Sequence, residues 1–239
     1  MDNFLTLDEY KNIIKKANRV IMVKDAINTT DGLILRHDVD ESLDFAYELY
    51  KLEKEIGVKS TYYILLTSDL YNPFSFKNKK IIREMHQNGF EIGLHFDPIA
   101  YSNQKNDFLL QKFMDEIEIF EKYLEIKLYS YSMHQPSVTG TYIDYPKLIN
   151  AYGSPIFDKN RYISDSSFSF RGKNIEEYIE KSKNQLIQLL IHPDHLFCDG
   201  KKDYGVCFSK LLNNYINAID STYQENRLYQ TQRGEFNLP

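Results

Sequence analysis

The chain has 239 residues, of which 42% are hydrophobic and 26% charged, enough for one α/β domain with a buried core and too apolar for a disordered chain. The formal net charge of −5, with no dense run of Lys or Arg, argues against nucleic acid or an anionic membrane as the main partner. The start, MDNFLTLDEYKNIIKK, lacks the basic opening and long apolar stretch of a secretory signal, and no segment approaches the roughly 20 apolar residues of a membrane-spanning helix. A cytoplasmic protein without an integral membrane segment is expected, and its two cysteines, Cys198 and Cys207, are expected to be reduced there.

In chain order, apolar runs alternate with helical patterns. GLILR (32–36) predicts a buried strand, and 42–57 a helix with Leu43, Ala46, Tyr47, Tyr50 and Ile56 near one face and Gly57 as its stop. KSTYYILL (59–66) is the next strand, 77–89 a helix, FEIGL (90–94) a strand, and 106–124 a long helix with Phe108, Leu109, Phe113, Ile117, Phe120 and Leu124 at helical spacing. LYSYSM (128–133) is a fourth strand. A short helix is expected from Pro146 to Tyr152, then two short strands in SPIFD (154–158) and RYISD (161–165), a helix near 174–183, the strand QLIQLLI (185–191) and a final helix near 206–226. About seven strands in βα order demand a parallel sheet with right-handed crossovers. The predicted fold is α/β, a distorted, TIM-like (β/α) barrel, closed or incomplete, occupying residues 1–239 as a single domain.

Parallel α/β proteins gather their active sites at the C-terminal ends of the strands. Four of the six histidines stand where a predicted strand stops: His37 in LRHDVD (35–40), His95 in EIGLHFD (91–97), His134 after LYSYSM, and His192 in LLIHPDH (189–195). Asp38, Asp40, Asp97, Asp158, Asp165 and His195 join them on the same predicted rim. Imidazole mixed with carboxylate suits a borderline divalent ion such as zinc with an open coordination position. Duller readings stand beside this one. Asp40 precedes a helix and suits an N-cap, while Arg36, Asp38 and Asp40 share one side of an extended backbone and suit a plain ion-pair cluster. Asp97 before Pro98 suits a turn, and Pro193 makes a loop of HPDH, which leaves His195 secondary.

LRHDVD before a helix, GLH (93–95) ending a strand, the HQP segment (134–136), ISDS (163–166) and LLIHP (189–193) resemble, in order, the five motif regions of the polysaccharide deacetylase superfamily, carbohydrate esterase family four, with its NodB-like homology domain. The resemblance spans roughly residues 32–195 and is nearest to a branch whose first motif reads HDVD, associated with bacterial surface-glycan genes. It implies a distorted (β/α) barrel, a divalent metal, commonly zinc, and removal of an acetyl group from an N-acetylated amino sugar. Carried over by motif, Asp38 resembles the general base and Asp40 the metal-binding aspartate, with the two roles exchangeable because Val39 separates a normally adjacent pair. His95 matches the first metal histidine. Its usual partner four residues later is absent, since Ile99 stands there, so either another group completes the coordination, His134 first and Asp97 second, or the site binds metal weakly or not at all. His192 matches the late histidine that acts as general acid, and Asp165 with Arg171 the motif that orients that histidine or the base.

The chemistry asks for the same residue types. An amide carbon is a poor electrophile, so a Lewis acid must polarise its oxygen, a carboxylate must take the proton of the attacking water, and an imidazole must protonate the leaving amine. The expected function is a metal-dependent N-deacetylase whose partner is an N-acylated amino sugar, nucleotide- or lipid-linked, on the way to a bacterial surface polysaccharide. Two alternatives from other classes remain: a hydrolase of a different non-peptide C–N bond on the same fold, and a non-catalytic glycan-binding module, to which the missing second histidine points. Substrate contacts are expected in loops 67–78 and 135–145, where Tyr71, Phe74, Phe76 and Tyr142 suit a cleft.

Overall fold

The computed structural model describes residues 4–101 and 106–235. Its elements are α1 (Leu7–Ile14), β1 (Val20–Ile21), β2 (Gly32–Val39), α2 (Leu43–Glu55), β3 (Thr61–Leu65), α3 (Phe76–Gln87), β4 (Glu91–Phe96), α4 (Asn106–Leu124), β5 (Ser130–Met133), α5 (Pro136–Thr139), β6 (Ile149–Asn150), β7 (Tyr162–Ser164), α6 (Ile175–Lys181), β8 (Leu186–Leu190), α7 (Tyr204–Tyr223) and α8 (Arg227–Gln232). The strand order is β6-β5-β4-β3-β2-β8-β7, and every pairing is parallel. Seven strands thus curl into a half-barrel wrapped by helices. The two-residue β1 pairs with Leu33 and Ile34 on the edge of β2 that β3 takes further along, at Arg36–Val39, while β8 holds the opposite edge. The barrel is open between its edge strands β6 and β7. Gln188 of β8 reaches toward this side, its Nε2 donating to Ala151 O at 3.0 Å just beyond β6.

Side chains alternate across a strand, and this parity decides the rest of the molecule. On β2, Leu33, Leu35, His37 and Val39 face the helices, while Ile34, Arg36 and Asp38 face the barrel interior. The outer set joins Tyr62, Ile64, Ile92, Leu94, Phe96, Tyr131, Met133, Ile187, Leu189 and Ile191 in one core with Leu43, Ala46, Leu49 and Tyr50 of α2, Ile82 and Met85 of α3, and Phe113, Phe120 and Leu124 of α4. Each such side chain taken fully from water contributes about 1.5–3 kcal/mol, which is what holds the helices on the sheet. A smaller cluster, Ile21, Val23, Ala26, Ile34, Tyr63, Ala151, Ile156 and Leu186, plugs the bottom of the barrel. Above it the interior becomes polar: Glu91 accepts from Thr61 Oγ1 at 2.8 Å and Ser130 Oγ at 2.6 Å. Gly93 is required in this layer, because a Cβ there would lie 2.4 Å from the Tyr63 ring and 3.0 Å from Ser130 O.

At the ends of α2 the Gly57 stop read from the sequence recurs, whereas the cap is Ser42 and not Asp40. Ser42 caps α2 by accepting from the Asp44 and Phe45 amides, and Gly57 ends the same segment with a φ of +74°. Three expectations are corrected. Residues 146–152 form no helix; Ile149 and Asn150 instead make β6 against Ser130 and Tyr131, because the segment is too short to nucleate a helix while β5 offers it a free edge. SPIFD is turn rather than strand. Cys198 and Cys207 are disulfide-bonded, the 3-10 turn at Pro193–Phe197 and the start of α7 bringing their Cα atoms to 4.9 Å. Among the described residues no helix is long and apolar enough to cross a membrane.

Candidate metal and acid-base site

Interior parity and strand ends together assemble the site. Asp38 is the last inward side chain of β2 and Asp40 follows one residue past its end; His95 is the last inward residue of β4, His134 follows β5, and His192 follows β8 by two residues. Asp40 lies at their centre. Its Oδ1 is 3.2 Å from His95 Nε2, and its Oδ2 is 3.7 Å from both His134 Nε2 and His192 Nε2. The ligand atoms of Asp40, His95 and His134 all lie within 4.8 Å of one another. Asp40 is no helix cap, since Ser42 holds that role.

These three residues fit a divalent cation. Asp40 Oδ1 is buried and makes no hydrogen bond, although His95 Nε2 is close, and His95 Nδ1 is also without a partner. A buried carboxylate oxygen facing imidazole nitrogens without hydrogen-bond geometry is what a cation would satisfy. Burial would raise the Asp40 pKa, but His95, His192 and His134 outweigh it and hold the carboxyl well below its usual range. Asp97 serves the set from behind. Its Oδ1 closes the turn by accepting from Ile99 N at 2.8 Å, and its Oδ2 stands 3.3 Å from His134 Nδ1. Burial works against a charged His134, yet Asp97 and Asp40 prevail and raise its pKa above the ordinary imidazole value.

Two further carboxylates flank the cluster. Asp38 Oδ1 receives Arg36 Nη1 at 3.1 Å, Oδ2 receives Ser132 Oγ at 3.4 Å, and Oδ2 also faces His95 Nε2 at 3.8 Å. Arg36 is itself fully buried, bonded to Ser132 Oγ at 2.5 Å and lying over the rings of Tyr152 and Tyr63 at 4.6 and 5.7 Å. On the other side, Asp165 Oδ1 accepts from His192 Nδ1 at 2.6 Å. Burial would lower the His192 pKa, but the charge of Asp165 and its hydrogen bond dominate and lift it well above the ordinary value.

The structure therefore brings together Asp38, Asp40, His95, His134, Asp165 and His192, and leaves three expected members out. Arg171 is exposed, in a loop with a φ of +53°, and its guanidinium makes no bond to Asp165. Asp158 sits in a surface turn, where it accepts from Asn160 N at 2.7 Å. His37, counted with the rim histidines, points the opposite way: its Nδ1 meets Ile191 O at 2.9 Å and its Nε2 meets Glu53 Oε1 at 2.9 Å, in a closed network with Tyr10, Ser60 and Tyr62. Parity could have shown this, since residue 37 cannot share a face with 38. Sequence reasoning also placed His195 second, although the structure buries it against Asp165; the signal was the i, i+3 spacing of HPDH. Tyr71 is tied to the strand ends, donating to Val39 O at 2.7 Å and accepting from Leu65 N at 2.9 Å, while Phe76 is 91% exposed.

No protein-family model matches the chain, and no curated protein matches it. Among solved structures, the chitin deacetylase of the fungal pathogen Colletotrichum lindemuthianum superposes with a TM-score of 0.51 at 16% identity, over 81% of this chain and 87% of that one. The chain shares that deacetylase's fold. The peptidoglycan deacetylase PdaC of Bacillus subtilis matches at 14% identity over 87% of this chain and 98% of its own, with a TM-score of 0.48. A CE4 family pseudoenzyme from Bacillus anthracis matches at 12% identity over 79% and 62%, with a TM-score of 0.45. Likeness at such identity concerns the backbone, and the chemistry must be read from the side chains.

Proposed function

We propose that the protein is a metal-dependent hydrolase that removes the N-acetyl group of an amino sugar. The observation that carries this reading is Asp40, a half-buried carboxylate whose buried Oδ1 makes no hydrogen bond, ringed by His95 and His134 and flanked by Asp38 on one side and an Asp165-held His192 on the other. Asp40, His95 and His134 would hold the ion, and their mixed nitrogen and oxygen donors suit zinc. Bound there, the metal supplies a Lewis acid for the amide carbonyl oxygen.

The remaining work belongs to the chain's own groups. Asp38 Oδ2, free of the Arg36 pair, takes a proton from the water that adds to the amide carbon. Arg36 and Ser132 fix the carboxylate so that this oxygen faces the site. His192 Nε2 gives its proton to the amine nitrogen as the C–N bond breaks, leaving acetate and a free amino sugar. Asp165 keeps that proton in place beforehand and accepts from Nδ1, which turns Nε2 toward the substrate. The assignment of Asp38 as base and Asp40 as ligand, open from the motif alone, is supported by the Arg36 contact: Asp38 is held by the Arg36 guanidinium, whereas Asp40 faces the imidazoles of His95, His134 and His192. Within this reading the natural substrate is an amino sugar of a bacterial surface-polysaccharide precursor, an extension that rests on the HDVD resemblance.

The test is acetate release from N-acetylated sugars by the zinc-loaded protein. Asp38→Asn and His192→Ala are expected to lower kcat by about 10²–10⁴-fold with the fold intact. Wild-type rates in both variants would remove the assigned roles.

A further inference from the structure

Asp165 holds two imidazoles at once. Its Oδ1 accepts from His192 Nδ1 at 2.6 Å and its Oδ2 from His195 Nδ1 at 2.9 Å, while the His192 backbone N–H lies 3.1 and 3.0 Å from the two oxygens. A carboxylate has about four lone-pair positions, and the 192–195 segment engages both oxygens of this one. The local backbone explains how. Pro193 starts a 3-10 turn over Pro193–Phe197, with His195 N donating to His192 O at 3.3 Å, and side chains three apart in such a turn eclipse one another. His192 and His195 therefore stand ring beside ring at 5.2 Å, with both Nδ1 atoms aimed at one acceptor.

Packing alone does not call for a histidine at position 195. The ring is 4% exposed and enclosed by Phe168 at 3.9 Å, Phe4 at 5.8 Å and Tyr204 at 6.2 Å between centroids. Phenylalanine would fill such a cage without bringing polar atoms into it, so the buried imidazole has to be explained by its hydrogen bond. Its far nitrogen, Nε2, faces Asp194 Oδ2 at 3.6 Å.

We infer that His195 is a positioning residue for the deacetylation: its Nδ1–H pins Asp165 Oδ2, so that the same carboxylate holds the His192 ring with Nε2 turned toward Asp40 and the substrate. The inference rests on the reading of His192 as proton donor. Without His195, Oδ2 keeps only the shared backbone contact, the carboxylate is free to rotate, and the His192 ring moves with it. A displacement of about 1 Å at a reacting group is enough to cost roughly 100-fold in rate.

The experiment compares His195→Phe with His195→Asn in the full-length, zinc-loaded protein, because the Asn Nδ2 can replace the Nδ1 donor whereas Phe only fills the cage. With di-N-acetylchitobiose as probe, His195→Phe is expected to lower kcat by about 10–100-fold, the range for outer partners of a site, with KM within about twofold, and His195→Asn to recover most of the loss. An unchanged kcat in the Phe variant, or an Asn variant that folds like wild type without recovery, overturns the inference. Imidazole ¹H–¹⁵N spectra read the same contact without turnover. The hydrogen-bonded Nδ1–H of His192 should shift in His195→Phe and return in His195→Asn, and a signal that stays in place overturns the positioning role. Absence of acetate release by the wild type from any N-acetylated sugar would instead sink the deacetylase reading and leave the spectral test standing.

Discussion

At the scale of single residues, burial makes the charges decisive. Arg36 and Asp38 are both withdrawn from water, and among the described residues each is the other's only full counter-charge at bonding distance. Replacing Arg36 by Met should cost about 3–5 kcal/mol by leaving a buried carboxylate unpaired, and adding Asp38→Asn should restore much of it. Urea unfolding of the wild type and these two variants measures this; a single Arg36→Met loss below about 1 kcal/mol would mean that water reaches the pair. Glu116 gives a second test. Burial pushes its pKa up to about 7, opposed by a 2.6 Å hydrogen bond from Tyr101, and its Oε2 has no partner. The folded-state value lies above the unfolded one, so the folded protein binds more protons between about pH 4.5 and 7 and stability falls as pH rises through that window. The loss amounts to roughly 3 kcal/mol, and Glu116→Gln should flatten the dependence of Tm on pH between 5 and 8. A slope unchanged by the substitution would show that another group carries it.

Much of the site was legible at this scale because strand parity and strand ends are sequence properties. The ion-pair reading of Arg36, Asp38 and Asp40 holds for the first two: Asp38 is still inside β2, facing Arg36, while Asp40 lies past its end among the histidines. Arg171 was not legible. Its distance in sequence from Asp165 says nothing of direction once the loop takes left-handed φ at Ser167, Phe168 and Arg171. His195 needed the 3-10 turn, which a Pro after His suggests without fixing where the second ring goes.

Among the elements, long periodic segments were readable and two-residue strands were not. The α2, α3, α4 and β8 segments each carry a full apolar pattern, whereas β1 and β6 exist only because β2 and β5 offer them an edge. An element-scale prediction follows from β4. Gly93→Ala places a methyl against the Tyr63 ring, whose hydroxyl shares a 2.8 Å hydrogen bond with Ser130 Oγ. Such overpacking typically costs about 1–3 kcal/mol, and at this chain length a Tm drop of roughly 2–4 °C per kcal/mol is expected by calorimetry. An unchanged Tm would show that Tyr63 can leave the interior freely.

Across the whole molecule, an open parallel half-barrel turns distant residues into neighbours. Helix-facing side chains build the core and interior ones the polar cluster at the strand ends, so a single alternation separates His37 from Asp38. A cation bound at the rim should also stabilise the fold, by about 2.7 kcal/mol at a free concentration one hundred times its Kd, and a chelator should reverse the gain in a thermal scan. No change in Tm with added zinc would count against the site.

The most direct test is anomalous scattering at the zinc edge from a crystal of the zinc-loaded protein. A single peak enclosed by Asp40, His95 and His134 is the predicted result. No peak, or one between Asp165, His192 and His195 instead, would contradict the account.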